Sequence, residues 1–317
     1  MAAAADELLA RVGSMHLGDV GDEVERLRKE NETLKRKVTA LEVANDGAVG
    51  IGVERPALEI PYDELDVRDQ IGGGGFSLVY RAFWKGTPVA VKRWFDPDQT
   101  DAVLQEFREE VMTMQNLKHP NCVQLVGACS KPPNLAIIME YMPYSLHFLL
   151  HQSPDIKIDR KRALNFAVDI ARSFAYLHSR GPPVIHRDIK PANFLVDRAY
   201  KVKLCDFGLC STRNNTAGTP NYMSPELLAG KPYNEKVDVY AFGLVLWEMV
   251  SGEVPFDGML PGDIRTKVVD AKERPAMPLS CPRAVQRLIA ECWDADPAAR
   301  PSFEAVIDRC QELIKEC

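Results

Sequence analysis

Three short strings carry side chains whose types and spacing could do chemistry together: Val89-Ala90-Val91-Lys92, His186-Arg187-Asp188-Ile189-Lys190-Pro191-Ala192-Asn193 and Asp206-Phe207-Gly208. Lys92, set in a β-branched run, is a cation for nucleotide phosphates. Asp188 offers a carboxylate that can accept a hydroxyl proton, and Asn193 and Asp206 offer oxygen ligands to a divalent ion. Lys190 stands two residues after Asp188, Asn193 five after it and Asp206 eighteen after it. The set suits transfer of a phosphoryl group, where a protein contributes chiefly positioning and charge stabilisation.

The elements that must hold these groups are legible nearby. Ile71-Gly72-Gly73-Gly74-Gly75-Phe76-Ser77-Leu78-Val79-Tyr80 reads as strand, tight turn, strand. Its glycines let backbone N–H groups approach phosphates with no Cβ between. Four glycines alone more often mark a flexible loop; Lys92, thirteen residues after Val79, makes the pattern specific. A half-buried lysine keeps its charge only beside an acid, and the helix predicted over Ala102 to Leu117 offers Glu109 and Glu110. Asp159 opens a second helix whose apolar residues, Ala163, Phe166, Ala167, Ile170, Phe174 and Leu177, recur at near-helical spacing up to Gly181-Pro182-Pro183. Leu135 to Met139 reads as a buried strand. Val237 to Trp247, apolar nearly all round, reads as a central buried helix.

In this order the strings resemble the signature of a protein kinase, over about residues 61–317. Glu59-Ile60-Pro61-Tyr62, Trp84, Cys129, Trp247 and Trp293 resemble the tyrosine-kinase-like group, which includes the Raf and mixed-lineage kinases. The resemblance implies an α+β, bilobal fold: a small β-rich N-lobe with one major helix (61–142) and a larger helical C-lobe (143–317). It implies ATP with Mg²⁺ or Mn²⁺ as cofactors and Ser/Thr hydroxyls of protein substrates as acceptors. Lys190 and Gly218-Thr219-Pro220 match Ser/Thr rather than Tyr kinases; dual specificity and a catalytically weak pseudokinase scaffold are the alternatives.

The same resemblance assigns roles. Asp188 and Lys190 serve catalysis, and Lys92 reaches the phosphates with Glu110, the acid directly before Val111, as its partner. Asn193 and Asp206 hold metal. Ile71, Gly72, Gly74, Val79, Ala90 and Leu195 enclose the nucleotide, Met139 is the gatekeeper behind adenine, and the backbone of Glu140 and Met142 bonds the base. Met114 shares a helix face with Glu110. Thr219 is expected to bond Asp188 and Lys190, Asp238 to accept from the catalytic-loop backbone, and Glu226 to pair with Arg300. Arg187 calls for an anion, which kinases with this arginine commonly receive as a phosphate; Ser211, Thr212 and Thr216 are candidates, with Thr216 preferred. Two departures stand out. Ser77 replaces the third glycine of the phosphate loop, predicting a weaker grip, and Pro143-Tyr144-Ser145 replaces the usual glycine pair after the hinge.

Ahead of this domain, residues 17–42 carry a heptad, with Leu17, Val24, Asn31 and Val38 at a and Val20, Leu27, Leu34 and Leu41 at d. Asn31 can bond its twin across a parallel pair, and Glu23–Arg28, Glu30–Lys35 and Lys37–Glu42 are attractive g to e′ pairs. A disordered start (1–16), a parallel homodimeric coiled coil (17–44) and a flexible linker (45–60) are therefore expected. The net charge of −6 argues against nucleic-acid binding. The eight cysteines contain no Cys-x-x-Cys pair, which fits reduced thiols in the cytoplasm or nucleus. No basic leader precedes an apolar run, and Val239 to Val250 is too short to span a bilayer.

Overall fold

The computed structural model describes residues 58–73, 77–94, 101–131, 134–153, 155–210 and 218–317, with backbone alone at 101 and 102. The expected coiled coil, most of the linker, Gly74, Ser211, Thr212 and Thr216 lie outside the described residues.

Five antiparallel strands form the first lobe: β1 (Leu65–Gly73), β2 (Ser77–Trp84), β3 (Thr87–Trp94), β4 (Leu125–Cys129) and β5 (Ala136–Glu140), in the order β1-β2-β3-β5-β4. Lys85 and Gly86 close the β2–β3 hairpin with φ of 49° and 80°, and Trp84 pairs with Thr87 across it. Two positive φ values in a two-residue loop match the right-handed twist of the strands it joins. The lead-in segment lies against β4: Ile60 donates its N–H to Ala128 O at 2.9 Å, and Ala128 returns one to Leu58 O at 2.9 Å. Gly127 makes that approach possible, since a Cβ there would stand 2.5 Å from Leu58 O. Helix α1 (Asp101–Asn116) follows β3 and buries Phe107, Glu110, Val111 and Met114 at helical spacing. It begins and ends one residue earlier than the pattern suggested.

Helices dominate the second lobe: α2 (Leu146–His151), α3 (Arg160–His178), α4 (Pro225–Leu228), α5 (Lys236–Ser251), α6 (Pro261–Arg265), α7 (Arg283–Cys292) and α8 (Phe303–Lys315). Side chains cap three of these α-helices: Asp159 accepts from Arg162 N, Ser145 from Phe148 N and Ser302 from Ala305 N. The small sheet β6 (Tyr144–Ser145), β7 (Phe194–Val196), β8 (Val202–Leu204) sits on α3 and carries the loops that matter for chemistry. Every residue of α5 from Val237 to Met249 is buried. At Gly243 a Cβ would meet Cys292 Cβ at 2.8 Å, so glycine sets how closely α7 packs on α5.

Candidate active site

Strand β3 and helix α1 together present a half-buried cation and its buried partner. Lys92 Nζ donates to Glu110 Oε1 at 2.7 Å and Oε2 at 2.9 Å, and to Asp206 Oδ1 at 3.0 Å. Burial works against the ammonium, and the Glu110 and Asp206 carboxylates outweigh it, so the Lys92 pKa stands above its ordinary value. Of the two acids left open by the pattern, Glu110 is therefore the partner. Glu109 instead accepts from Gln105 Nε2 at 2.7 Å and is half-buried rather than fully solvated.

The segment between α3 and β7 is held from below. Asp238, at the start of α5 and wholly buried, accepts from His186 N and Arg187 N at 3.0 Å each and pairs with His178 Nε2 at 2.9 Å. Arg187 has φ 66° and Asp206 φ 63°, a left-handed conformation that costs a non-glycine residue roughly 1–2 kcal/mol. Such strain persists only where the surroundings over-determine it. Here the two amides bonded to Asp238 hold the first of these residues. Arg187 is buried and donates to Tyr233 Oη at 3.1 Å.

Asp188 is gripped at both oxygens. Oδ1 accepts from Thr219 Oγ1 at 2.7 Å and from Thr219 N at 3.1 Å. Oδ2 lies 2.6 Å from Lys190 Nζ and accepts from Asn193 Nδ2 at 3.1 Å. Lys190 also donates to Thr219 Oγ1 at 3.0 Å, so the three side chains close a ring. Asn193 gives a further bond to Asp188 O at 2.8 Å, which commits its amide nitrogen and leaves Oδ1 as the atom able to accept or ligate.

After β8 the chain turns sharply. Phe207 is buried at 1% exposure beneath His186, ring centroids 5.9 Å apart, while the Asp206 side chain keeps 45% exposure toward the cleft. Gly208 passes Glu110 so closely that a Cβ would stand 3.3 Å from its Oε2. Around these groups lie the apolar residues expected to enclose a base. Ala90 and Met139 are cross-strand neighbours and buried, Val79 stands opposite Lys92, and Leu195 is half-buried on β7. Met142 is buried, Gly72 has room on its β2 side, and Ile71 is exposed at 47%.

Loss of solvent alone would raise the carboxyl pKa of Asp188, and of Asp206 despite its exposed edge. Lys190 and Thr219 outweigh it at Asp188, and Lys92 outweighs it at Asp206, so both stand below the ordinary carboxylate value. A group whose folded pKa is depressed stabilises the fold above its unfolded value, about 4, and loses that contribution as pH falls through the folded one. The thermal unfolding midpoint is thus expected to fall steeply below about pH 4, and less steeply in Asp188→Asn. Equal slopes in the two proteins would contradict the assignment.

One contact had no counterpart in the sequence reading, which gave Glu140 only a backbone role. Its side chain accepts Lys203 Nζ at 2.7 Å on each oxygen and Gln124 N at 2.8 Å, tying the end of β5 to β8. Lys203 lies 63 residues further on, on a strand only three residues long, and no local pattern announces such a pair.

The donor set fits a nucleotide with a hard divalent ion. Lys92 supplies a cation, Asn193 Oδ1 and Asp206 supply oxygens of the kind Mg²⁺ prefers, and Ala90, Val79, Met139 and Leu195 supply an apolar wall. The model for protein tyrosine and serine/threonine kinases matches residues 65–310. The chain belongs to the protein kinase family. It is 40% identical over 274 residues to serine/threonine-protein kinase CTR1 of Arabidopsis thaliana, covering 84% of this chain and 33% of that protein. It is 41% identical over 265 residues to probable serine/threonine-protein kinase SIS8 of the same plant, covering 81% and 26%. It is 39% identical over 277 residues to serine/threonine/tyrosine-protein kinase HT1, also from Arabidopsis thaliana, covering 83% and 70%. The chain thus spans roughly a quarter to a third of CTR1 and SIS8 and most of HT1. Members of this family use ATP and a divalent metal ion. Among the described residues no helix is long and apolar enough to cross a membrane.

Proposed function

We propose that this chain transfers the γ-phosphoryl group of ATP, with Mg²⁺ as the resident ion, to Ser or Thr hydroxyls of protein substrates. The observation that carries the reading is the closed ring of Asp188, Lys190 and Thr219 facing the Lys92–Glu110–Asp206 cluster. The bound Mg-nucleotide supplies the phosphoryl group and neutralises charge on it. Asp188, held ionised, orients the acceptor hydroxyl and takes its proton at a carboxylate oxygen. Lys190, already beside that carboxylate, turns to the transferring oxygens as negative charge spreads over them. Lys92 grips the nucleotide phosphates, with Glu110 fixing its direction. Asn193 Oδ1 and Asp206 would hold the ion, while Met139, Ala90, Val79 and Leu195 would shield the base from water.

Purified chain incubated with Mg-ATP and peptides differing only in a Ser, Thr or Tyr acceptor tests this. Phosphate on Ser and Thr, abolished by chelating the divalent ion, is the expected result. No incorporation, or incorporation on Tyr alone, overturns it.

The proposal extends to a homodimer through residues 17–44, supported by Asn31 at an a position and three attractive g to e′ pairs. Eight free thiols, most of them buried, support a reducing compartment, the cytoplasm or nucleus.

A further inference from the structure

Outside the catalytic cleft a second group of polar side chains converges. His147 and His151 stand one turn apart on α2, ring centroids 5.0 Å from each other, and both approach Glu248 of α5. One ligand atom from each of the three lies within 4.8 Å of the others. Glu248 is wholly buried while the two histidines are half-buried, so the cluster runs from the interior to the surface. His151 Nε2 lies 2.7 Å from Glu248 Oε1, and Tyr222 donates its phenol to Oε2 at 2.7 Å. Those two bonds take one lone-pair site on each oxygen and leave the other free to accept. His147 makes no hydrogen bond to a protein group among the described residues and is half-buried, so its imidazole is open to water or to an ion. A cleft of about 590 Å³ runs beside His151, lined also by Trp247, Glu253 and Asp257.

We propose that His147, His151 and Glu248 form a Zn²⁺ site with water in the fourth position. Two imidazoles and one carboxylate are a donor set for tetrahedral Zn²⁺, and His at i and i+4 on a helix is a chelating spacing. Mg²⁺ and Ca²⁺ favour all-oxygen shells, so this site discriminates against the ion that serves phosphoryl transfer. Bonds of about 2.0–2.1 Å place tetrahedral ligand atoms about 3.3 Å apart. Rotation of the two rings, His147 most, must therefore close the widest gap. His151 gives up its bond to Glu248, its Nε2 proton passes to Nδ1, and the ion takes the place between them. Tyr222 keeps Oε2.

The full chain, carrying Cys317→Ser to remove the exposed thiol, is titrated with Zn²⁺ calorimetrically in the presence of Mg²⁺ and a nonhydrolysable ATP analogue. Co²⁺ then reports coordination by the intense visible absorption of a four-coordinate centre. One ion per chain is expected. His147→Gln, at a half-buried position, should weaken binding more than about 100-fold, beyond the 10–100-fold that loss of a merely supporting residue costs. Glu248→Gln, which keeps the hydrogen bonds but is a poor ligand, should do the same with its circular dichroism unchanged. If Glu248→Gln does not fold, His147→Gln decides. Binding of less than one ion, or affinity untouched by His147→Gln, overturns the site.

Discussion

Asp188→Asn is expected to reduce kcat by about 10²–10⁴-fold, the contribution of a positioned general base, while the dissociation constant for nucleotide stays within a few-fold. The amide cannot accept the hydroxyl proton, yet it is nearly the same size. One of its two positions can still accept from Thr219 Oγ1 and N, the bonds made at 2.7 and 3.1 Å. The Lys190 contact at 2.6 Å loses its charge, which frees the lysine and adds to the loss in transition-state stabilisation rather than in binding. Single-turnover transfer and nucleotide titration on the same preparation separate the two effects. A variant with unchanged kcat would remove Asp188 from its role. A variant that lost nucleotide binding equally would make it a structural residue.

Arg300→Ala should destabilise the domain by about 3–5 kcal/mol, the cost of leaving one charge of a buried pair without its partner. Arg300 is wholly buried and donates to Glu226 Oε1 at 2.6 Å and Oε2 at 2.9 Å. It also donates to the carbonyls of Asp294 and Lys236, at 2.9 and 3.0 Å, and lies over the Tyr240 ring. Removing the guanidinium strands the Glu226 carboxylate and opens those backbone groups at once. Glu226→Gln, which keeps an acceptor in place, should cost less. The double replacement of both partners should cost less than the sum of the singles, because neither charge is then left alone. Denaturant midpoints of the four proteins give the coupling. An Arg300→Ala loss below about 1 kcal/mol, the range of exposed pairs, would mean that the pair behaves as a surface salt bridge.

The two predictions draw on opposite kinds of legibility. Asp188, Asn193 and Asp206 stood out because phosphoryl transfer calls for a proton acceptor and oxygen ligands, and the three lie within eighteen positions of one another along the chain. The helix beginning after Asp159 and the buried run from Val237 were visible because hydrophobic period and capping are local properties. The pairing of Glu226 with Arg300 was expected from resemblance, and an acid on α1 beside Lys92 from the cost of leaving a half-buried lysine unpaired. The choice between Glu109 and Glu110 rested on one neighbouring valine. The two acids differ by a single residue, about 100° around the helix axis. Only the packing of α1 against the sheet decides which of them faces the lysine.

Other features had no sequence signal. The Glu140 side-chain bonds to Lys203 and Gln124, and the meeting of His147 and His151 with Glu248, join residues 16 to 101 positions apart. The order of residues alone determined which reactive groups were on hand and which stretches would form helix or strand, because propensity and period are written in neighbouring residues. Tertiary packing decided which groups meet, what charge each keeps and how far each is from water. Those depend on distances between segments that the chain brings together only after its apolar faces are buried.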